Sequence, residues 1–240
     1  MKKFFLTMRF IFYPLVCFLL PCKIMDKEKF NKCNEGGKII IGNHLSWMDP
    51  VYQGFRLPSY KRFLSKKENG NNKFAKAFLD ALGVIFVNRE KPELSSMREC
   101  VGALKAGETL SIYPEGTRNR DNRDVQQIHS GAALFALKGD AFVIPVAMYK
   151  KGEFFRRNYM GVGDPVDLSD LIGKRIDEQV LGEASERMEN ALKKTLEKLD
   201  VWVAEKGWKA DKKEKRRQSK LLKKQYKKAK RDHDKNKDRT

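Results

Sequence analysis

Residues 43–50 read NHLSWMDP and contain the residue types best suited to proton transfer. His44 is one of three histidines in the chain, and a neutral imidazole accepts a hydroxyl proton near pH 7. Asp49 could bind the second ring nitrogen and stabilise the imidazolium, as the aspartate of a catalytic triad does. A turn histidine followed by a helix-capping aspartate is the alternative interpretation of the same residues.

The spacing of this pair restricts the local structure. In a continuous helix, residues five apart point roughly 140° away from each other at about 100° per residue. We therefore expect His44 to lie before a helix and Asp49 to lie at or near its start. Asp49 as the N-cap, followed by Pro50 at the first helical position, fits this arrangement.

Residues 113–118 read YPEGTR and have the properties of a phosphate-binding turn. The guanidinium of Arg118 matches two phosphate oxygens, Gly116 lets the backbone approach, and Thr117 adds a hydroxyl. Glu115 would orient the arginine or a substrate hydroxyl. An ordinary turn with a surface ion pair remains the alternative.

Two more cations follow apolar runs. Arg89 comes after the run 84–87, and Lys66 comes after the run 60–64. Each could reach the same edge as Arg118, although a solvated side chain is the simpler interpretation of both. The chain has no G-x-S-x-G, Walker A or G-x-G-x-x-G pattern, so nothing indicates a serine-hydrolase or nucleotide-binding machinery.

Alternating strands and helices must position these residues. Apolar, β-prone runs predict strands at 38–41, 60–64, 84–87, 109–113 and 142–148, and helical spacing predicts helices at 74–82, 93–105, 132–138 and 176–208. The order indicates a single α/β domain with a mainly parallel central sheet flanked by helices. Ligands of such sheets bind at the carboxyl ends of strands, where we expect both His44 and Glu115.

The chain divides into three predicted parts, which are a membrane anchor (1–25), a catalytic domain (26–208) and a basic, helical or disordered tail (209–240). Residues 4–24 are nearly all apolar, but the longest uncharged stretch is only residues 10–22. A spanning helix needs about 20 apolar residues. The segment therefore suits a retained interfacial or re-entrant helix, with a cleaved signal and a buried core helix as alternatives.

The net charge of +19 indicates a polyanionic partner. Residues 209–240 hold 16 Lys and Arg against 5 Asp and Glu. Such a tail can bind nucleic acid or an anionic membrane surface. It lacks the aromatic ladder of single-strand binders, because Tyr226 is its one aromatic residue. We therefore expect the membrane surface as the partner, and no nucleic acid.

Four blocks in order resemble the glycerolipid acyltransferases of the 1-acylglycerol-3-phosphate acyltransferase type. Residues 43–49 match the family's N-H-x-S-x-x-D block, and residues 83–89 match its glycerol-phosphate-binding strand, with Asn88 where Asp is common. Residues 113–118 match F-P-E-G-T-R with Tyr113 for Phe, and residues 144–146 match the fourth block. The resemblance covers roughly residues 26–165 and includes a segment around Lys66.

The resemblance implies a role for each matching residue. His44 is expected as the catalytic base and Asp49 as its partner. The residues implied to bind the acceptor phosphate are Gly116, Thr117 and Arg118, with Glu115, Arg89 and Lys66 beside them. The residues implied to lie at the acyl site are Ile144, Pro145 and Val146.

The implied reaction is acyl transfer from acyl-CoA or acyl carrier protein to the sn-2 hydroxyl of 1-acylglycerol 3-phosphate, which gives phosphatidic acid. No metal or cofactor is expected. The partners would be the membrane lipid acceptor and the acyl donor, with the active site on the cytoplasmic side of a membrane. Another phospho- or lysolipid acceptor, and a binding module with an inactive site, are the alternatives.

Overall fold

The structure is a computed structural model that describes residues 1–32, 36–88, 93–119 and 123–206. The chain divides into two compact units, Met1–Leu199 and Asp200–Thr240, and the second is described only up to residue 206. The predicted basic tail and Arg89 therefore lie outside the described residues.

Over the described ranges, helices and strands alternate along the chain as predicted. The helices are α1 (Lys2–Leu19), α2 (Glu28–Lys32), α3 (Asp49–Arg56), α4 (Lys73–Leu82), α5 (Leu94–Lys105), α6 (Gly131–Gly139) and α7 (Glu178–Lys206). The strands are β1 (Cys22–Met25), β2 (Lys38–Gly42), β3 (Lys61–Lys66), β4 (Ile85–Val87), β5 (Thr109–Ile112), β6 (Phe142–Met148) and β7 (Asn158–Val162).

The seven described strands form one sheet in the order β1-β7-β6-β2-β5-β3-β4. Every neighbouring pair is parallel except β6 and β7, which are antiparallel. The prediction of an α/β domain with a mainly parallel sheet is thereby confirmed. Since β2 and β5 are parallel neighbours, their carboxyl ends lie side by side at one edge.

Strand β2 lies at the centre of the sheet. Its residues Ile39, Ile40 and Ile41 are fully buried, as expected for a strand covered on both faces. Ile40 belongs to an apolar cluster with Tyr52 of α3 and Val146 of β6. The cluster fixes the position of α3 relative to the end of β2.

Strands β1 and β7, at one side of the sheet, were not predicted. Strand β7 contains Asn158 and Gly161, and β1 contains Lys23, residues that weaken a strand pattern. The two strands form because they pair with each other and because β7 pairs with β6. Residues 22–25 thus belong to the sheet, and the helical part of the predicted anchor ends at Leu19.

Helix α1 exposes most of its side chains, but Phe5 is buried, and Val16 and Leu19 pack against the apolar cluster around Tyr52. Within the described ranges, no helix combines the length and the apolar character that a membrane span requires. Helix α4 ends at the predicted residue and begins one residue earlier than predicted, and its apolar side chains Phe74 and Phe78 are exposed.

Gly83 ends α4 in a left-handed conformation, with φ of +82°. A Cβ atom at this position would collide with the hydroxyl of Tyr60. We expect Gly83→Ala to lower the free energy of unfolding by about 2 kcal/mol, since it adds backbone strain to a steric clash. Urea denaturation followed by circular dichroism measures the change.

Gly102→Ala is the matched control for this substitution. Gly102 lies inside α5, and its Cβ would meet no atom within 4 Å. Alanine is more favourable than glycine in a helix interior, so the free energy of unfolding of the control should rise by about 0.5–1 kcal/mol. Equal effects of the two substitutions would contradict the assignment of Gly83 as the essential cap.

Candidate active site

Asn43 joins the end of β2 to the end of β6. Its side-chain nitrogen donates to the carbonyl of Met148 at 3.0 Å, and its side-chain oxygen accepts from the amide of Met148 at 2.7 Å. The side chain is fully buried. The next residue, His44, therefore starts from a fixed position at the carboxyl edge of the sheet.

The imidazole of His44 contacts the carboxylate of Asp49, with 3.0 Å between Nδ1 and Oδ2. Asp49 is fully buried, whereas about a sixth of the His44 side chain is exposed. A carboxylate at Nδ1 favours the tautomer with the proton on that nitrogen. The lone pair of Nε2 is then available to accept a proton.

Asp49 also organises the turn that precedes it. Its Oδ2 atom accepts from the amides of Leu45 and Ser46, both at 2.7 Å, and its Oδ1 atom accepts from the Ser46 hydroxyl at 2.9 Å. The expectation that Asp49 is the N-cap of α3 was wrong. It is the first residue of the helix, and its carboxylate points back to residues 44–46, away from the helix amides.

Tyr113 packs against the other side of the imidazole. The rings of His44 and Tyr113 are stacked, with centroids 4.2 Å apart and planes 20° apart. Burial raises the pKa of the Tyr113 hydroxyl well above its usual range, so the ring is a neutral, flat surface for the histidine. The motif match identified Tyr113 as a substitute for Phe but gave no sign of this stacking.

The turn after β5 is bonded at both ends to the backbone of His44. The amide of His44 donates to Oε1 of Glu115 at 3.3 Å, and the amide of Asn119 donates to the His44 carbonyl at 2.7 Å. Gly116, with φ of +72°, takes the left-handed conformation that bends the turn. The side chains of Thr117 and Arg118 are exposed, which leaves both accessible to a ligand next to His44.

Glu115 is buried in this turn and accepts hydrogen bonds from its surroundings. Only 4% of the residue is exposed, and its carboxylate also accepts from the backbone amide of Gln126. Its second oxygen is buried, and it has no hydrogen-bond partner among the described residues. Burial is the main cause that raises the pKa of Glu115 to about 7.

The other predicted residues lie farther from the imidazole. Lys66 is exposed at the end of β3, which is separated from β2 by β5. Ile144, Pro145 and Val146 are buried inside β6, where they pair with β2. The structure thus brings together His44, Asp49 and the turn that contains Glu115.

A family model for acyltransferases matches residues 22–149, which include the whole of this site. The chain belongs to the acyltransferase family. The match begins at β1 and ends just after β6, so it covers most of the sheet and both turns that meet at His44.

Several relatives of this chain are named 1-acyl-sn-glycerol-3-phosphate acyltransferase. The chain is 29% identical to the 1-acyl-sn-glycerol-3-phosphate acyltransferase of Bacillus subtilis over 74% of this chain and 89% of that protein. It is 31% identical to the Borreliella burgdorferi enzyme of the same name over 58% of this chain and 56% of that protein. The alignment therefore spans little more than half the length of the Borreliella enzyme.

A solved structure supports the fold. The crystal structure of the 1-acyl-sn-glycerophosphate acyltransferase PlsC from Thermotoga maritima is similar to this chain, with a TM-score of 0.55 and 21% identity. The match covers 80% of this chain and 77% of that protein. At this identity the likeness establishes a shared arrangement of strands and helices.

The raised pKa of Glu115 predicts a pH-dependent stability. The folded protein holds a proton at Glu115 up to about pH 7, whereas the unfolded chain releases it near pH 4.5. The stabilisation is complete below pH 4.5 and is lost as the pH rises through 7. The glutamine of Glu115→Gln cannot ionise. Between pH 4.5 and 8, the free energy of unfolding of wild type should therefore fall by up to about 3 kcal/mol relative to that of this variant.

Chemical denaturation at several pH values measures this difference. Glu186→Gln, which replaces an exposed glutamate of α7, is the control and should follow wild type. A constant difference between wild type and Glu115→Gln across the pH range would show that Glu115 keeps its ordinary pKa in the folded protein.

Proposed function

We propose that this protein transfers an acyl group from acyl-CoA or acyl carrier protein to the sn-2 hydroxyl of 1-acylglycerol 3-phosphate and so forms phosphatidic acid. One observation carries the proposal: the backbone of His44, whose imidazole contacts Asp49, is hydrogen-bonded to both ends of the turn that contains Gly116, Thr117 and Arg118. The proposed base and the proposed phosphate-binding turn would thereby share one site. The relatives named 1-acyl-sn-glycerol-3-phosphate acyltransferase support 1-acylglycerol 3-phosphate as the acceptor.

His44 would act as the general base. Its Nε2 atom takes the proton from the acceptor hydroxyl while that oxygen attacks the thioester carbonyl. The new C–O bond forms, the C–S bond breaks, and the imidazolium returns the proton to the departing sulfur. Asp49 stabilises the imidazolium, and the stacked ring of Tyr113 restricts its orientation. This sequence of steps requires neither a metal nor a cofactor.

The phosphate of the acceptor would lie on the turn after β5. Arg118 offers two parallel N–H donors, Thr117 offers a hydroxyl, and Gly116 lets the oxygens approach the backbone. Glu115 holds this turn against His44. Lys66 and Arg89, which follow the next strands along the sheet, would add positive charge for the phosphate.

The acyl group would lie on the side of His44 where β6 runs. Ile144, Pro145 and Val146 form an apolar strand next to β2, so they would contribute to the apolar surroundings of the acyl chain. The acceptor would enter from a membrane, to which helix α1 would attach the catalytic domain with its site on the cytoplasmic side, since residues 22–25 belong to the sheet of that domain.

His44→Ala should lower kcat/KM for acyl transfer to lysophosphatidic acid by at least about 10³-fold, because the base is removed. Asp49→Asn should lower kcat by about 10²-fold or more, since it retains the shape but loses the charge that stabilises the imidazolium. Transfer from a radiolabelled acyl thioester to lysophosphatidic acid measures both. Substantial phosphatidic acid formation by His44→Ala would rule out the proposed base.

His233→Ala is the matched control, because it removes a histidine that lies outside the sequence motifs of the site. It should retain wild-type activity. If wild type acylates a different phospho- or lysolipid in a His44-dependent manner, the chemistry stands and the acceptor changes. If no acceptor is acylated in a His44-dependent manner, the protein is a binding module.

The basic tail, residues 209–240, would attract the protein to anionic lipid. Each Lys or Arg close to such a surface contributes about 1 kcal/mol. Deleting the tail should therefore weaken binding to anionic vesicles at low salt and should have little effect at 1 M salt, where charges are screened within about 3 Å. Vesicle sedimentation measures the binding, and unchanged binding at low salt would contradict this role.

A further inference from the structure

A buried polar pair lies one helical turn beyond Asp49, and no step of the proposed chemistry uses it. Gln53 of α3 and Ser111 of β5 are buried, with 0% and 1% of their surface exposed. The Ser111 hydroxyl donates to the side-chain oxygen of Gln53. Two apolar groups of similar shape would stabilise the fold about as well as such a buried hydrogen bond, so stability alone does not explain this pair.

Gln53 and Asp49 lie on the same face of α3. They are four residues apart, so their side chains point in similar directions. Asp49 uses this face to bind His44 and the turn before the helix, and Gln53 uses it to reach β5. Because α3 has only 8 residues, a rotation of the helix at Gln53 also displaces the carboxylate of Asp49.

The register of the sheet brings Ser111 to α3. Ser111 pairs with Ile40 of β2, so both side chains point to the same face of the sheet. Ile40 belongs to the apolar cluster that includes Tyr52 of α3, so α3 covers this face. Apolar packing is not directional. The cluster therefore holds α3 against the sheet, while the hydrogen bond between Gln53 and Ser111 fixes the rotation of the helix.

Gly42 gives the Gln53 side chain its place against β2. It is the last residue of β2, two residues before His44. A Cβ atom at this position would lie 2.8 Å from Nε2 of Gln53 and 3.3 Å from Cε1 of Tyr113. The amide of Gln53 and the ring of Tyr113 therefore both lie against the end of β2, where a larger residue would displace them.

Ser111 also lies beside the second neighbour of the imidazole, which is Tyr113. The Tyr113 ring stacks on His44. The Ser111 side chain opposes the rise that burial causes in the pKa of the Tyr113 hydroxyl, and the contact is looser than a hydrogen bond of regular geometry. Ser111 thus lies between the helix that contains Asp49 and the ring that packs on His44.

We propose that Gln53 and Ser111 are positioning residues for the His44–Asp49 pair. Their hydrogen bond fixes the rotation of α3, so the carboxylate of Asp49 faces Nδ1 of His44 in a single orientation and Nε2 remains directed to the acceptor. The positioning of the imidazole rests on these contacts alone, whereas its effect on acyl transfer rests on the proposed function.

The first experiment observes the Nδ1 proton of His44 by NMR in the full-length protein labelled with ¹⁵N-histidine. Comparison with His44→Ala assigns the signal among the three histidines. The variant is Q53M/S111A, which removes both polar partners and retains most of their volume. In wild type, the bond to Asp49 should protect this proton from exchange with water. In the variant, exchange should be about tenfold faster or more, because the bond opens more often.

The second experiment measures acyl transfer to lysophosphatidic acid. The kcat of Q53M/S111A should fall by about tenfold or more, since a displaced base loses the productive geometry. The KM for the acceptor should change by less than about twofold, because the turn after β5 keeps its bonds to the backbone of His44. The urea midpoint of the variant should match that of wild type, since both polar partners are replaced together.

Thr195→Val is the matched control. Thr195 is 2% exposed, and its hydroxyl donates to the carbonyl of Ala191 within α7. The substitution removes a buried hydroxyl that has no contact with the turn 44–49, so both the exchange rate at His44 and kcat should equal those of wild type.

Wild-type exchange in Q53M/S111A would overturn the proposal, and a lower kcat with wild-type exchange would overturn it too, because the loss would not act through His44. Faster exchange with an unchanged kcat would overturn the effect on acyl transfer. If the double variant does not fold, Ser111→Ala alone decides by the same two measurements. If wild type transfers no acyl group, the proposed function fails, and the exchange rate still decides the positioning.

Discussion

The site depends on the buried carboxylate of Asp49. A buried charge without hydrogen bonds is costly, and this carboxylate accepts from two backbone amides, one hydroxyl and an imidazole. These bonds close the turn 44–49 into one conformation. Leu45 and Met48, on the same turn, are buried in the apolar cluster around Tyr52. Polar bonds on one side and apolar packing on the other therefore fix the imidazole before any substrate arrives.

The parallel sheet supplies the second constraint. Because β2 lies between β5 and β6, the residues after it bind neighbours on both sides. Asn43 binds Met148 on the β6 side, and His44 binds Glu115 and Asn119 on the β5 side. His44 and the turn that contains Glu115 thus meet because two parallel strands end together, although about 70 residues of sequence separate them.

The turn 44–49 also belongs to the surface of the protein. Its polar residues point to the carboxylate of Asp49, while Trp47 projects outward against Phe154. One seven-residue block therefore contains both the His44–Asp49 pair and an exposed aromatic side chain. This arrangement suits an enzyme whose acceptor has a polar, reactive end and an apolar chain, because the two ends of such a molecule need adjacent but different surroundings.

The sequence by itself determined the local features. The bounds of β6 and the end of α4 at Gly83 follow from apolar runs and turn residues, and the motif blocks identified His44 and Glu115 at one sheet edge. Only the tertiary structure decided which atoms meet. The direction of the Asp49 carboxylate, the stacking of Tyr113 and the pairing of β1 with β7 depend on contacts between distant segments. Patterns within a segment do not encode such contacts, because their free energy arises only when the chain has folded.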